Sequence, residues 1–508
     1  MKKTIRFLTS SKFLLALMFI LNVALFVVSC LVFPPYVYAL VSTFVLLCLM
    51  FQVTKDADSS TNALLWFVLI LLFPFFSVAL RLQLNTSRAS KSKRRKYQNI
   101  TYQSFKTLEQ SNTVVENLSK FNLASANISK FVYNAEKWPI YSESATTYLA
   151  NGELYYADLF NEIKQAKKYV LVQCYKINSG KIWEELFNIL RFKAREGVEV
   201  KLLYDDFGCL TSFDDKKFFK KLNNHGIETI PFNKFGATLG SFNQCRNHQK
   251  LTIIDGKIAF VGGINVGDEY ANLKNKQTVW KDCAVKVLGH AVWSYVVMFL
   301  NNWQFSSKKF IDVTKYKVTY EKNSKVKEIV QPFETNPITK TNALKESILK
   351  TISSAQKYVY ITAPYIIFDH DLLLALKQQA NSGVEVKLLL PGVSNKKCSN
   401  YLTRSYYAEL IKAGVKVFEY AQNVVNSKMI VVDDVTVMLG SADFDFRKMF
   451  THFEAGIIIH NSKTVLTAKQ DVEKVITSSH AITLRDCKQR KMREKIAARI
   501  VRIFTPFM

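Results

Sequence analysis

Asn247-His248-Gln249-Lys250-Leu251-Thr252-Ile253-Ile254-Asp255, followed by Gly262-Gly263-Ile264-Asn265, decides how this chain folds. Leu251, Ile253 and Ile254 are strand formers, so the segment reads as a β-strand. Side chains at i and i+2 of a strand share a face, which puts the His248 imidazole beside the Lys250 ammonium. A phosphodiester is attacked most easily where a nucleophile and a fixed positive charge lie on one side of it. A lone His-x-Lys describes many solvated strand edges. The full string, His-x-Lys-x4-Asp and then Gly-Gly-x-Asn, is far more restrictive.

A second, altered copy follows. Asn426-Ser427-Lys428 is succeeded by Asp433 and then by Gly440-Ser441-Ala442-Asp443. The lysine and the first aspartate keep their places, while Asn426 stands where the first copy has histidine and Asp443 where it has Asn265. The repeat is wider than the motifs. Ala166-Lys167-Lys168-Tyr169-Val170 recurs as Ala355-Gln356-Lys357-Tyr358-Val359, and Gly-Val-Glu-Val-Lys-Leu-Leu occurs both from Gly197 and from Gly383. Buried strand-like runs alternate with amphipathic helical stretches in each half. The predicted fold is therefore α/β, with two pseudo-repeated α/β/α lobes facing one cleft and the two motifs meeting there.

The N-terminus carries three uncharged apolar runs, 13–33, 36–53 and 63–80, each about long enough to cross a bilayer. They predict N-terminal transmembrane helices. A cleaved signal peptide fits less well, because two further apolar runs follow the first. Basic residues flank the first run, and a larger cluster from Arg88 to Lys96 follows the third. Three crossings cannot put both clusters on one side. The larger cluster is taken as cytoplasmic, which predicts a multi-pass membrane protein with its catalytic part in the cytoplasm. The expected organisation is a membrane region (1–81), a basic juxtamembrane linker (82–135), a first half (136–305), an inter-half linker (306–335), a second half (336–480) and a basic amphipathic C-terminal segment (481–508).

The formal net charge of +28 suits an anionic membrane surface or a nucleic acid. The apolar runs favour lipid. The eight cysteines are scattered, with no Cys-x-x-Cys and no zinc spacing. No glycine loop for a nucleotide and no carboxylate cluster for a metal stands out, so no cofactor is expected.

These motifs resemble the signature of the phospholipase D superfamily, and within it the bacterial cardiolipin synthase family. Leu203-Tyr204-Asp205-Asp206-Phe207-Gly208, Gly262-Gly263-Ile264-Asn265-Val266-Gly267-Asp268-Glu269-Tyr270, Trp280-Lys281-Asp282 and Phe453-Glu454-Ala455-Gly456 carry the likeness beyond the central strings. The resemblance implies transfer of a phosphatidyl group between two phosphatidylglycerol molecules, through a phosphatidyl-histidine, to give cardiolipin and glycerol. It implies His248 as nucleophile, Asp282 as the carboxylate orienting that imidazole, and Lys250, Lys428, Asn265 and Ser441 around the phosphate. Asp255 and Asp433 belong to the motif but suit loop pinning better than chemistry. Phosphatidylglycerol and anionic membrane lipids are the implied partners, and nucleic acid is not.

Two departures matter. Asn426 cannot release a proton near neutrality, and loss of a general acid–base typically costs about 10²–10⁴-fold. Asp443 would repel a phosphodiester unless paired, for which Lys428 or Lys448 is available. The family has asparagine where this chain has His452. Asparagine and histidine have thus exchanged places, and on a strand His452 would share a face with Glu454. His452 is the candidate replacement acid–base. A lipid-binding pseudoenzyme and a phospholipase D-type hydrolase are the alternatives.

Overall fold

The computed structural model describes residues 34–56, 60–73 and most of 91–503, leaving out 211, 213–216, 235–244, 275–277, 321–327, 339–342, 394–396 and 422. Scattered positions in 17–32 and 76–80 are also described. The chain forms two compact units, one of 1–90 with 235–245 and 503–508, the other of 91–234 with 246–502.

In the first unit, helix Pro35–Asp56 packs against helix Ser60–Leu72. Trp66 and Ile70 are buried against Val45, Leu46 and Phe67. Tyr36, Leu40, Phe44, Leu47 and Phe51 form an exposed apolar stripe along the longer helix. Among the described residues no helix is long and apolar enough to cross a membrane. Ser60–Leu72 has 13 residues where about 20 are needed. The expected run 36–53 falls within helix Pro35–Asp56. Most of the 13–33 run, and part of the 63–80 run, lies outside the described residues.

The larger unit holds the repeat. Its first half supplies strands β1 (Ser144–Leu149), β2 (Tyr169–Cys174), β3 (Glu199–Asp205), β4 (Ile227–Phe232), β5 (Arg246–Asn247), β6 (Leu251–Ile254), β7 (Ile258–Gly262), β8 (Trp280–Lys281) and β9 (Ala284–Gly289). The second supplies β10 (Ile329–Thr335), β11 (Tyr358–Thr362), β12 (Ile366–Ile367), β13 (Glu385–Pro391), β14 (Lys416–Tyr420), β15 (Val424–Val425), β16 (Met429–Val432), β17 (Thr436–Gly440), β18 (Phe444–Asp445), β19 (His452–His460) and β20 (His480–Ile482). One sheet runs β1-β9-β7-β6-β2-β3-β4 and the other β10-β19-β17-β16-β11-β13-β14-β20. Substituting each strand by its counterpart turns the first order into the second, apart from the added β20. The duplicated sequence thus folds twice into one mixed sheet.

The central strands explain the repeated strings. Every residue of β2 and of β11 is buried, as expected of strands covered on both faces. In the motif, a Cβ at Gly262 would lie 2.6 Å from the Cys283 carbonyl oxygen, and one at Gly440 would lie 2.5 Å from that of Ala455. Glycine is needed there for β7 and β17 to approach their neighbours.

Several boundaries differ from the sequence reading. Within 82–135, read as a linker, residues 91 onward form helices Lys91–Phe105, Asn112–Phe121 and Leu123–Glu136. Their Tyr97, Leu118 and Ile128 are buried in the larger unit. β10 falls inside the expected inter-half linker and opens the second sheet as an edge strand. In the C-terminal segment, β20 extends the second sheet. Helix Met492–Ile503 then holds Ala498 buried and Met492, Ile496 and Ile500 exposed.

Candidate active site

Beside the motifs, the two halves meet through two short parallel pairings. β5 pairs with the start of β19, matching Arg246 to His452 and Asn247 to Phe453. β15 pairs with β8, matching Val424 to Trp280 and Val425 to Lys281. Each motif therefore enters the site against the opposite half. The backbone N–H of His248 donates to the Phe453 carbonyl (2.9 Å), and that of Asn426 to the Lys281 carbonyl (2.7 Å).

This crossing decides which carboxylate meets which motif. His248 Nδ1 lies 2.9 and 3.1 Å from the two Glu454 oxygens. Asp282 instead accepts a 2.5 Å hydrogen bond from Asn426 Nδ2. The sequence assignment of Asp282 to His248 is thus corrected, because carboxylates on β19 and just after β8 reach across to the other half's motif. A carboxylate only accepts, so Nδ1 carries the proton and Nε2 is left with its lone pair. Burial, outweighing the opposing pull of Glu454, brings the His248 pKa down to about 4. The ring is therefore neutral near pH 7 and able to attack. Glu454 is pushed up by burial but held well below the usual carboxylate range by His248, His452 and Lys250. Tyr175 packs edge-on to the imidazole, with ring centroids 4.9 Å apart.

Lys250 and Lys428 are buried, and their ammonium groups reach back to the carbonyls of His248 and Asn426. Burial, countered by Glu454 and reinforced by Lys428, lowers Lys250 to about 7. A bound phosphodiester would favour its charged form. Lys428 lies 3.6 Å from Asp443, which supplies the pairing that residue required. Tyr365 also donates to Asp443, at 2.9 Å.

The other motif residues are engaged within the protein. Asp255 accepts from the backbone N–H groups of Lys167, Lys168 and Tyr169 at 2.7–2.9 Å. Asp433 does the same for Gln356, Lys357 and Tyr358. Both carboxylates are occupied in fastening the start of a central strand, so neither belongs to the chemistry. The Ser441 hydroxyl donates to Glu454, which gives it a positioning task rather than phosphate contact. Asn265 accepts from the Lys176 backbone and donates to the Tyr270 hydroxyl, leaving one amide hydrogen.

His452 does join the site. Its ring centroid is 5.6 Å from that of His248, and its Nδ1 is 3.7 Å from Glu454. That nitrogen is buried without a hydrogen-bond partner. His248, His452 and Glu454 each place one ligand atom within 4.8 Å of the others, a spacing that would also admit a metal ion. The buried Lys250 ammonium beside them opposes a divalent cation. Sequence reasoning missed the layer behind the motif. Gln249 accepts from Asn302 (3.0 Å), and Asn302 and Tyr97 both donate to Glu334. Burial raises the Glu334 carboxyl to about 7.

The profile described as "Cardiolipin synthase, PLD-like domain" matches residues 159–282 and 348–476, one stretch in each half. A cardiolipin synthase of Geobacillus kaustophilus is 31% identical over 381 residues, covering 75% of each chain. The chain belongs to the phospholipase-D-like cardiolipin synthase family. Cardiolipin synthase 1 of Bacillus cereus is 28% identical over 466 residues, 90% of this chain and 91% of that one. Among solved structures, the phosphatidylserine synthase of Haemophilus influenzae matches with a TM-score of 0.55 at 14% identity, covering 74% of this chain and 96% of that one. That likeness concerns the fold.

Proposed function

We propose that this family member transfers a phosphatidyl group from one phosphatidylglycerol to another, forming cardiolipin and releasing glycerol. The observation that carries the reading is the buried His248 ring, its Nδ1 on Glu454 and its charge state acted on by the buried Lys250. Nε2 attacks phosphorus, the glycerol alkoxide leaves with a proton, and a phosphatidyl-histidine forms. A second phosphatidylglycerol hydroxyl then displaces the histidine. Lys250 and Lys428 neutralise charge on the nonbridging oxygens.

The proton for the leaving glycerol cannot come from Asn426. His452 is the nearest alternative. It lies beside His248 and shares its carboxylate, so Glu454 would stabilise the imidazolium that forms in turn. In this reading Asn426, held by Asp282, orients substrate and moves no proton.

The protein works at a bacterial membrane in this reading. The exposed stripe of Tyr36, Leu40, Phe44, Leu47 and Phe51, and the Met492, Ile496 and Ile500 edge of the C-terminal helix, are apolar surfaces that lipid would cover. The 13–33, 36–53 and 63–80 runs would anchor the chain, with the basic cluster after them on the cytoplasmic face. The test is incubation of purified protein with labelled phosphatidylglycerol. Cardiolipin with free glycerol supports transfer. Phosphatidic acid would make the protein a hydrolase. No turnover would make it a lipid-binding pseudoenzyme, the reading that the Asn426–Asp282 pair favours.

A further inference from the structure

A cavity of about 820 Å³ opens beside the β8/β15 junction and is lined by Lys176, Lys274, Glu269, Tyr270, Trp280 and Val424 among others. It adjoins the reacting centre on two counts. The Tyr270 hydroxyl accepts from Asn265, and Trp280 and Val424 stand two residues before Asp282 and Asn426 on paired strands. Two residues of chain span at most about 7 Å, so the backbone of these two lining residues lies within that distance of the Asn426–Asp282 pair.

Its lining is polar and cationic. Among the described residues neither Lys176 nor Lys274 has an ion-pair partner. Glu269 accepts a hydrogen bond from Asn178, which lines the same cavity. Ser179, Ser212 and Asn272 add hydroxyl and amide groups to the lining. At the counterpart junction, β5/β19, Phe453 is fully buried between Tyr97 and Phe232, with ring centroids 5.5 and 5.0 Å away.

We propose that this cavity is a second phosphate subsite, in which Lys176 and Lys274 hold the phosphoglycerol headgroup of the lipid that receives the phosphatidyl group. The inference rests on the phosphatidyl-transfer reading and names where its second substrate sits. A phosphatidylglycerol acceptor carries its own phosphate a three-carbon bridge away from the attacking hydroxyl. With that phosphate on the two lysines, the hydroxyl reaches toward the phosphorus on His248. The O–P bond forms as the N–P bond breaks, and the hydroxyl proton passes to the base of the site. Free glycerol, the small acceptor of the reverse exchange, lacks the phosphate and gains nothing from the lysines.

The test is acceptor choice in full-length protein reconstituted in phosphatidylglycerol vesicles. Cardiolipin formation is measured alongside exchange of labelled free glycerol into the lipid. For Lys176→Ala/Lys274→Ala we expect the ratio of cardiolipin to exchanged lipid to fall about tenfold or more, a charge-assisted contact being worth that much. Lys176→Glu/Lys274→Glu should lower it further. An unchanged ratio in both variants overturns the subsite. If the parent protein performs neither reaction, the transfer reading itself fails. The subsite is then judged by calorimetric titration of sn-glycerol 3-phosphate. Weaker binding in the double alanine variant supports it, and equal binding overturns it.

Discussion

The two junctions between the halves are built on one plan and finished differently. At β5/β19 a histidine meets a glutamate, and aromatic side chains close the space behind them. At β8/β15 an asparagine meets an aspartate, and a cavity opens alongside. Equivalent backbone therefore carries a histidine–glutamate pair on one side and an asparagine–aspartate pair on the other. The difference shows that duplication fixes where side chains meet, while residue identity fixes what each meeting can do.

The strongest test of this division is removal of the nucleophile. His248→Ala should abolish transfer by about 10⁴-fold or more, since the covalent route disappears. Protein denatured in detergent at alkaline pH, where the N–P bond survives, should then carry no phosphatidyl label, whereas the parent should. Asn426→Ala, at the pseudo-equivalent position, should still accumulate label. Label at neither junction, or equal loss from both changes, would erase the proposed asymmetry.

Glu454→Gln comes next, at about 10²–10⁴-fold, because the imidazole loses the group that fixes its tautomer. Glu454 also holds the Lys250 pKa up against burial. Its loss should therefore move the alkaline limb of the pH profile to lower pH. Asp282→Asn should be milder, since Asn426 has no proton to organise. Equal effects of the two changes would mean that both carboxylates serve the same step.

How much of this was legible in the sequence depended on range. The spacing of Asp255 is local and the structure keeps it, but His248, Gln249 and Lys250 link β5 to β6 and lie in neither strand, so the strand expected through them is corrected. The repeated strings located two sheets of one order. The exchange of Glu454 for Asp282 at His248 was hidden, because it arises from β5 pairing with a strand some 200 residues away, which no local periodicity encodes. β10 was hidden as well. Its Gln331, Pro332, Glu334 and Thr335 do not read as a strand, yet Pro332 is tolerated because β10 lies at the sheet edge. The run Lys91–Lys96 masked the buried Tyr97 that follows it directly.

His452→Ala sharpens the comparison by asking whether the closed junction holds both proton carriers. About a 10²-fold loss is expected for removal of a general acid–base. Asn426→His placed in that variant should recover part of the rate, because it restores an imidazole at the open junction. A rate equal to the parent in His452→Ala would remove His452 from the mechanism.

pH gives a smaller, graded effect. His248 must be neutral, so kcat/KM should fall as pH drops through about 4, where the ring protonates. Lys250 must be charged to hold phosphate, so kcat/KM should fall as pH rises through about 7. The first limb reports a base whose pKa is lowered, the second an acid whose pKa is lowered. In kcat the upper limb should move to higher pH, because bound phosphodiester stabilises the ammonium. A single limb with no decline toward alkaline pH would show that Lys428 alone suffices for the phosphate.

The least effect on chemistry should come from Asp255→Ala and Asp433→Ala, although both residues stand inside the motifs. Each carboxylate accepts three backbone N–H groups ahead of a central strand, from a left-handed backbone position at φ 53° and 52°. Hydrogen bonds to a charged group contribute about 1.5–3 kcal/mol, so either change should lower the midpoint of thermal or urea unfolding by a measurable step. Turnover per folded molecule should stay within about threefold, far short of a lost acid–base. The two substitutions should also cost nearly the same, since the two turns bind the same set of amides. A large loss of turnover at one position alone would mean that its loop reaches substrate, and the asymmetry between the halves would then extend beyond the two junctions.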